Sequence, residues 1–334
     1  MPTVTNSIGS AGRNYSTIAL WLAALPANLV TDGNSYTGQC YNDSEFVETN
    51  IISGHTTDST HVITLTAATG QSFHDNPNVQ GNKLVYDRTN GVGIKGTTIS
   101  RPLVVSDNNV FLSNLQVLQS SIYYNAIEIT SSSCVIDYCL LQSNGSHGVL
   151  AAVLGNIVRN TVLYATASGI TQVACDLLGS DVGGPSFYFC TFVAPNNVTP
   201  PSEAVYWNYS SVYFENCAFF GATSVKAGAA TMTFVNCMTD VVSPPSGIIG
   251  GMTYANQFQG ITSSTADFRQ KIGANLRGGG AVDVTNGAFD IAGTARPQGG
   301  LWDIGAWELL VGGQASLNIP TSGVIFNLRD DEWY

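Results

Sequence analysis

The chain has 334 residues, 44% of them hydrophobic, a length that fits one large domain or two. Charged residues make up only 10% of the sequence, against a usual share of roughly 25%. The formal net charge is −11, from 23 acidic and 12 scattered basic residues, so we expect no nucleic-acid partner. No run of apolar residues reaches the roughly 18 that a membrane helix needs, so no membrane partner is expected either.

The N-terminal segment, residues 1–45, is predicted to contain a short capping helix. Residues 1–6 lack the basic-then-apolar pattern of a signal peptide, so we expect synthesis in a cytoplasm. An apolar stripe with helical spacing then runs from Ile18 through Trp21 to Leu25, behind a candidate N-cap at Ser16. This predicts a helix over residues 14–25 that covers the end of a core, although such a stripe could also bind a partner.

The middle of the chain repeats an eight-residue segment without internal gaps. Successive copies are 20 to 29 residues apart, a period typical of solenoids. In each copy the first and third positions alternate as in a strand, two residues intervene, and the sixth and eighth positions resume the alternation. We therefore predict two short strands and a bend in each solenoid rung. The six copies are residues 110–117, 134–141, 156–163, 185–192, 212–219 and 232–239.

The columns of this repeat assign inward and outward positions. The third and eighth columns are almost entirely apolar and are predicted to stack in the core, while four of the six residues in the sixth column are cysteine. The fifth column is the predicted bend, because Asn and Gly reach left-handed backbone conformations most easily. An earlier rung, residues 92–99, places Gly96 at this bend. The fifth column reads Asn114, Tyr138, Asn160, Phe189, Asn216 and Asn236.

With these columns the chain resembles the right-handed parallel β-helix family, the pectate-lyase-like solenoids that carry an asparagine ladder at a two-residue bend. The resemblance covers about residues 45–245. It implies an all-β fold, a right-handed parallel β-helix solenoid over residues 46–245, in which stacked amides hydrogen-bond from rung to rung. The family includes lyases, hydrolases, adhesins and phage spikes, so the resemblance implies no single function.

After a Pro-Pro break at residues 244–245, the chain is predicted to end the solenoid and cap it over residues 246–310. The run from Asp303 to Glu308, Asp-Ile-Gly-Ala-Trp-Glu, is similar to the segment that closes many bacterial and phage β-helix proteins. Residues 311–334 are predicted to form one or two further strands and a solvated acidic tail.

The seven cysteines and four histidines indicate no metal or redox site. No C-x-x-C pair occurs, the cysteine number is odd, and the histidines lack metal-ligand spacing. We interpret the cysteine column as small buried side chains and expect no cofactor and no metal. His74 is interpreted as a turn residue.

Candidate catalytic residues are few, and none is assigned with a role. Asp137 and Arg159 occupy the outward fourth column on neighbouring rungs, where a lyase could use a charge-neutralising group beside a base. The preferred interpretation is an ion pair on a solvated face. Asp176 and Asp181 flank a Gly-Ser loop, and Glu203 follows two prolines, so an acidic pair carried on loops is a weaker candidate.

Three functions remain open from the sequence. The first is a structural or attachment protein of a bacteriophage-like virion, such as a capsid decoration, head spike, tail spike or fibre. Its partners would be other capsid or tail proteins, host surface polysaccharide and copies of itself, with a trimer among the oligomers considered. The second is a polysaccharide lyase or glycoside hydrolase, and the third is an adhesin exported without a cleaved leader. Since a β-helix usually acts outside the cell and no leader is seen, the first is preferred.

Overall fold

The regular secondary structure of the described residues consists mainly of short parallel strands. A computed structural model describes residues 2–10, 12–75, 83–97, 99–121, 123–144, 147–151, 155–166, 173–177, 184–194, 202–207, 211–227, 231–262, 264–298 and 301–309. The predicted C-terminal strands at 311–334 lie outside these residues. Among the described residues, no helix is long and apolar enough to cross a bilayer.

The strands are short and regularly spaced along the chain. In order they are β1 Thr3–Ile8, β2 Ser35–Cys40, β3 Phe46–Val47, β4 Asn50–Ile52, β5 Ile63–Ala67, β6 Gly93–Lys95, β7 Leu103–Val105, β8 Val110–Ser113, β9 Gln116–Gln119, β10 Ile127–Ile129, β11 Val135–Asp137, β12 Leu140–Ser143, β13 His147–Ala151, β14 Ile157–Arg159, β15 Val162–Ala165, β16 Val173–Leu177, β17 Ser186–Tyr188, β18 Thr191–Val193, β19 Glu203–Trp207, β20 Val212–Glu215, β21 Ala218–Phe220, β22 Ser224–Ala227, β23 Met232–Val235, β24 Cys237–Thr239, β25 Ile248–Ile249, β26 Phe258–Gly260 and β27 Asp267–Gln270.

Three parallel sheets contain β1 to β25, and each rung from β2 to β22 contributes one strand to each sheet in turn. Sheet A stacks β1, β2, β5, β8, β11, β14, β17, β20 and β23. Sheet B stacks β3, β6, β9, β12, β15, β18, β21, β24 and β25, and sheet C stacks β4, β7, β10, β13, β16, β19 and β22. This arrangement is the predicted parallel β-helix.

The predicted inward columns form the core. Their side chains are almost fully buried, and the rings of Phe187, Phe214 and Phe234 stack from rung to rung with centroids 5.0 and 5.1 Å apart. All seven cysteine side chains are buried, as predicted, and none of these described residues forms a disulfide. In the sixth column, Cys217 Sγ donates to the carbonyl oxygens of Glu215 and of Phe187 on the previous rung. The thiols therefore act as small core side chains with weak hydrogen bonds.

The predicted bend between sheets A and B is confirmed at every position of the fifth column. All six residues have φ between 47° and 60°, including the aromatic residues Tyr138 and Phe189. The expected rung-to-rung amide ladder does not form: aromatic residues separate Asn114, Asn160 and Asn216, and no amide-to-amide hydrogen bond links the asparagines of this column among the described residues. Asn160 Nδ2 instead donates to Asp137 Oδ1, and Asn216 bonds to Ala281 of the C-terminal region.

The assignment of Gly96 to this bend is wrong. Gly93 pairs with Gln116 in sheet B, so the register places Gly91, not Gly96, opposite Asn114. Gly91 has φ 140°, whereas Gly96 follows β6 and is tightly packed against Pro102. A long insertion, residues 68–91, separates β5 from β6. Because it interrupts the repeat, the alignment of this rung from the sequence was displaced.

Two short helices close the N-terminal end. Helix α1, Ile18–Ala23, and helix α2, Leu29–Asp32, lie between β1 and β2, where later rungs have strands of sheets B and C. Helix α1 is shorter than predicted, and its N-cap is Thr17 rather than Ser16: Thr17 Oγ1 accepts from the backbone N–H of Leu20. Trp21 is fully buried in the solenoid core, as expected for a capping helix.

Residues 252–309, here called the strap, lie along the side of the solenoid. They include helix α3 Tyr254–Gln257, the antiparallel pair β26 and β27, and helix α4 Val284–Gly287. The prediction for residues 246–310 is the C-terminal end of the solenoid and a cap. Among the described residues of this range, β25 extends sheet B, and the strap covers the outward face of that sheet. Its apolar residues pack there against Leu140, Val162, Tyr164, Val193, Ala218, Phe220 and Met238.

Candidate functional site

The predicted pair of Asp137 and Arg159 forms on sheet A. Each is the last residue of its strand, β11 and β14, and the parallel register places them side by side on neighbouring rungs. Arg159 Nε donates to Asp137 Oδ2 at 2.7 Å. The sequence columns therefore located this ion pair correctly.

The interpretation of this pair as part of a solvated face is wrong for Asp137, whose exposed fraction is only 8%. Burial raises the pKa of Asp137 to about 6, although the charge of Arg159 and the amide of Asn160 act in the opposite direction. The strap provides the cover: Arg159 Nη1 donates to the carbonyl of Thr285, and Asn160 Nδ2 to that of Asn286. Arg159 thus contacts the strap directly, and Asp137 contributes through its hydrogen bond to Asn160.

A second arginine, Arg296, enters this cluster from the strap and is fully buried. Its Nη1 donates to Asn160 Oδ1 at 3.0 Å, and its Nη2 donates to the carbonyl of Gly305 at 2.8 Å. Its Nε lies 3.4 Å from Glu308 Oε2, and its guanidinium lies 4.3 Å from the centre of the Phe189 ring. Two outward bend residues, Asn160 and Phe189, therefore hold one buried cation of the strap.

Two buried carboxylates organise the strap around Arg296. Asp290 accepts backbone N–H bonds from Ala292, Thr294 and Glu308. Burial raises the pKa of Asp290 to about 6 and the pKa of Glu308 to about 7. These hydrogen bonds explain why acidic residues recur in this part of the sequence: they satisfy backbone donors in a region with little regular secondary structure.

The run from Asp303 to Glu308 has the same structural role. Asp303 accepts from the backbone N–H groups of Gly278 and Leu309. Gly305 has φ 92°, and a Cβ at this position would lie 2.7 Å from Thr191 Oγ1 on the solenoid. Its backbone N–H donates to the carbonyl of Asn216. The segment that resembles a β-helix closure thus docks directly on the bend between sheets A and B.

The contacts of His74 with the bend residues Asn114 and Tyr138 were not predicted from the sequence. His74 lies in a turn of the 68–91 insertion, with Nε2 2.6 Å from Asn114 Oδ1 and its ring tilted against Tyr138. Burial lowers the pKa of His74. In the sequence, the one indication of these contacts was Tyr138, an aromatic residue at a bend position. A tyrosine with positive φ is strained, so contacts with another part of the chain are expected to stabilise it.

Of the acidic candidates predicted on loops, Glu203 and the backbone of Asp176 lie on strands rather than in loops. Glu203 is the first residue of β19, partly exposed, with a pKa raised by burial, and it pairs in register with Val173. Asp176 lies in β16 opposite Tyr206, so its backbone is about 10 Å further along the strand direction than Glu203. The side chain of Asp176, and the whole of Asp181, fall outside the described residues.

A second polar surface occupies the outward face of sheet A beyond Arg159. Tyr188 and Tyr213 make a tilted ring contact with centroids 5.9 Å apart, and the Tyr213 hydroxyl donates to Glu215 Oε2 at 2.8 Å. All three side chains are partly exposed. We call this surface the tyrosine strip and define it by the outward residues of β14, β17, β20 and β23. These are Ile157, Arg159, Ser186, Tyr188, Tyr213, Glu215, Thr233 and Val235.

The carboxylates on sheet A do not match the spacing of a glycosidase. Asp137 and Glu215 are three rungs apart, or about 14 Å at the usual strand separation. Glycosidases place their two carboxyl groups roughly 5 to 9.5 Å apart. Within the part of the chain that the structure describes, no group of three His, Cys, Asp or Glu side chains could hold a metal ion.

Two comparisons with known proteins found no match. No protein-family model matches the chain, and a search of the curated proteins gives no match. The functional argument therefore depends on the two surfaces just described, the buried docking cluster and the exposed tyrosine strip.

Proposed function

We propose that the protein is a structural attachment protein of a bacteriophage-like virion. It would be a capsid decoration, head spike, tail spike or fibre subunit that is synthesised in the host cytoplasm and carried on the particle. In this proposal it belongs with the pectate-lyase-like, right-handed β-helices of phage spikes and decoration proteins. Its partners are other capsid or tail proteins, further copies of the chain, with a trimer as the oligomer to test, and a host surface glycan.

The hydrogen bonds made by Asp137 are the observation that most directly supports a structural function. Asp137 Oδ2 accepts from Arg159 Nε, and Asp137 Oδ1 accepts from Asn160 Nδ2. A general base must reach the proton that it removes, within hydrogen-bond distance or through one water. A carboxylate that is 8% exposed and bonded at both oxygens is placed to hold the strap instead.

One observation favours the alternative, a polysaccharide lyase or glycoside hydrolase. The pKa of Asp137 is raised to about 6, in the range where a carboxylate serves as a base near neutral pH. Buried ion-pair networks shift pKa values in the same way, and the contacts of Asp137 are of that kind. We therefore keep catalysis as the second candidate.

Locating the chain on particles tests this proposal. Particles purified from a lysate of a strain that carries the gene would be analysed by mass spectrometry and labelled with antibody for electron microscopy. We expect the chain at a fixed stoichiometry and at one site on head or tail. Its absence from purified particles would overturn the proposal. Release of reducing ends or unsaturated sugars from the host surface polysaccharide, lost on Asp137→Asn substitution, would favour the catalytic alternative.

A further inference from the structure

We propose that the tyrosine strip binds an uncharged polysaccharide chain that lies along the solenoid axis. The inference rests on the proposed attachment function and adds to it the binding surface and the chemical class of the ligand. The strip crosses four successive strands of sheet A, so its length is on the order of 14 Å. An extended polymer could therefore contact several rungs at once.

The two tyrosines supply the apolar part of the surface. Their rings belong to neighbouring strands and lie diagonally across the sheet, because Tyr188 pairs in register with Glu215 and Tyr213 pairs with Ser186. A tyrosine ring is a rigid apolar surface that ends in a polar group, so it loses little conformational entropy on binding. Such rings can pack against the C–H face of a sugar while neighbouring groups bond its hydroxyls.

The polar groups around the rings suit hydroxyl ligands. The Tyr213 hydroxyl donates to Glu215 Oε2, which fixes both side chains before a ligand arrives. Glu215 Oε1 has no hydrogen-bond partner among the described residues and can accept from a sugar hydroxyl. Ser186 and Thr233 lie in the same outward column as Tyr213 and add two further hydroxyl groups. The strip therefore offers both acceptors and donors without an unpaired cation.

Charge selects against an acidic polymer. The only cation of the strip, Arg159, is already paired with Asp137 and bonded to the strap, whereas Glu215 remains as a negative charge. The chain as a whole has a net charge of −11. A polyanion would be repelled by this field and would find no free arginine or lysine on the strip. An uncharged glycan avoids this repulsion.

The size of the strip distinguishes a glycan from a second copy of the chain. A stable protein interface involves about 20 to 30 residues on each side. The strip has eight outward side chains, most of them only partly exposed.

Affinity electrophoresis of the full chain in gels that contain host surface polysaccharide tests this inference. The polysaccharide comes from the strain that yields the particles, separated by anion exchange into uncharged and acidic fractions. We expect the uncharged fraction to retard the protein. Tyr188→Ala and Tyr213→Ala should each weaken this retardation at least about tenfold, which corresponds to 1.4 kcal/mol. Tyr213→Phe should weaken it less, because the ring remains.

Phe111→Ala is the matched control, since Phe111 is an exposed aromatic residue in the same outward column as Tyr213 but four rungs away from it. It should leave the retardation unchanged, and unchanged circular dichroism of each variant verifies its fold. Retardation by the acidic fraction alone, by neither fraction, or equally in folded variants and wild type overturns the inference. A dimer that Tyr188→Ala dissociates overturns it in favour of a second copy. A chain that binds the uncharged fraction but is absent from particles overturns only the proposed function.

Discussion

The bend residues between sheets A and B combine two properties that rarely occur together. They have positive φ, which costs a non-glycine residue roughly 1 to 2 kcal/mol. Five of the six side chains also contact the strap or the 68–91 insertion, those of Asn114, Tyr138, Asn160, Phe189 and Asn216. Phe189 shows this most clearly, because its ring lies between the Arg296 guanidinium and the Trp302 ring. Contacts with distant parts of the chain thus stabilise a conformation that local preferences disfavour.

Asn216→Ala should destabilise the protein by about 3 kcal/mol, as measured by urea denaturation. Asn216 exchanges two hydrogen bonds with the backbone of Ala281, each with a net contribution of about 1 kcal/mol, and alanine also fits the left-handed bend less well. Asn236→Ala is the control, because Asn236 has the same conformation, with φ 50°, but no side-chain hydrogen bond to a described residue. Its cost should be about 1 kcal/mol. Equal costs for the two variants would contradict the docking role of Asn216.

The sequence predicted these bend positions because their cause is local. Asparagine at a fixed place in a repeat indicates left-handed backbone, and the strands on either side follow the alternation of apolar residues. The partners of the bend residues could not be predicted in this way. Arg296 bonds to Asn160 across 136 residues, and a pattern in one segment contains no information about so distant a partner. The pattern within one segment also gave the wrong assignment of Gly96 to the bend, because the 68–91 insertion interrupts the repeat there.

The strap is a second structural element of the protein, with its own small core and its own buried charges. It packs on the outward surface of sheet B and depends on that sheet for its stability, whereas each solenoid rung is stabilised mainly by the neighbouring rungs. We therefore expect the strap to open locally before the solenoid unfolds. Two predictions address this local opening.

Strap docking should be stronger at pH 5 than at pH 8. Burial raises the pKa of Asp290 from 3.8 to about 6 and that of Glu308 from 4.5 to about 7, so docking favours the protonated carboxyls. This contribution is fully present below about pH 4 and is lost as the pH rises through 6 to 7. Hydrogen exchange should show that the free energy of strap opening is at least about 1 kcal/mol lower at pH 8 than at pH 5. This difference corresponds to a shift of less than one pKa unit.

The charges around these carboxyls do not reverse this sign. Burial lowers the pKa of Arg296, but a guanidinium stays charged in proteins over this pH range, and burial also raises the pKa of the neighbouring Asp303. Glu308→Gln keeps one acceptor oxygen and removes one titrating group, so the variant should show a smaller pH dependence. Greater protection of the strap at pH 8 in the wild type would refute the expectation.

Gly287→Ala should also open the strap without unfolding the solenoid. A Cβ at position 287 would lie 2.1 Å from the Phe189 ring, and such overpacking typically costs 1 to 3 kcal/mol. Exchange should accelerate for strap amides and remain slow for the inner strands of sheet A. The double variant Gly287→Ala with Phe189→Asn should lose less than the sum of the two single changes, because asparagine removes the ring and accepts positive φ. Strict additivity would exclude the proposed clash.

At the scale of the whole molecule, the middle of sheet B is covered on both faces, by the solenoid core and by the strap. Strands β15, β18 and β21 have buried residues at every position, the pattern expected of a parallel sheet between two layers. The tyrosine strip on sheet A, in contrast, stays partly exposed. The strap therefore determines which side of the solenoid is available to partners, and it leaves the strip accessible.

A chain truncated after residue 251 should consequently self-associate. Without the strap, sheet B would expose a continuous row of apolar side chains that includes Val162, Val193 and Phe220, larger than a soluble protein usually tolerates. Light scattering after size-exclusion chromatography should show oligomers or aggregates, whereas the full chain serves as reference for its native state. The same truncation with Val162→Thr, Val193→Thr and Phe220→Thr should associate less, since threonine keeps the strand preference and lowers the apolar area. A truncated chain that matches the oligomeric state of the full chain would mean that the strap is not needed to cover sheet B.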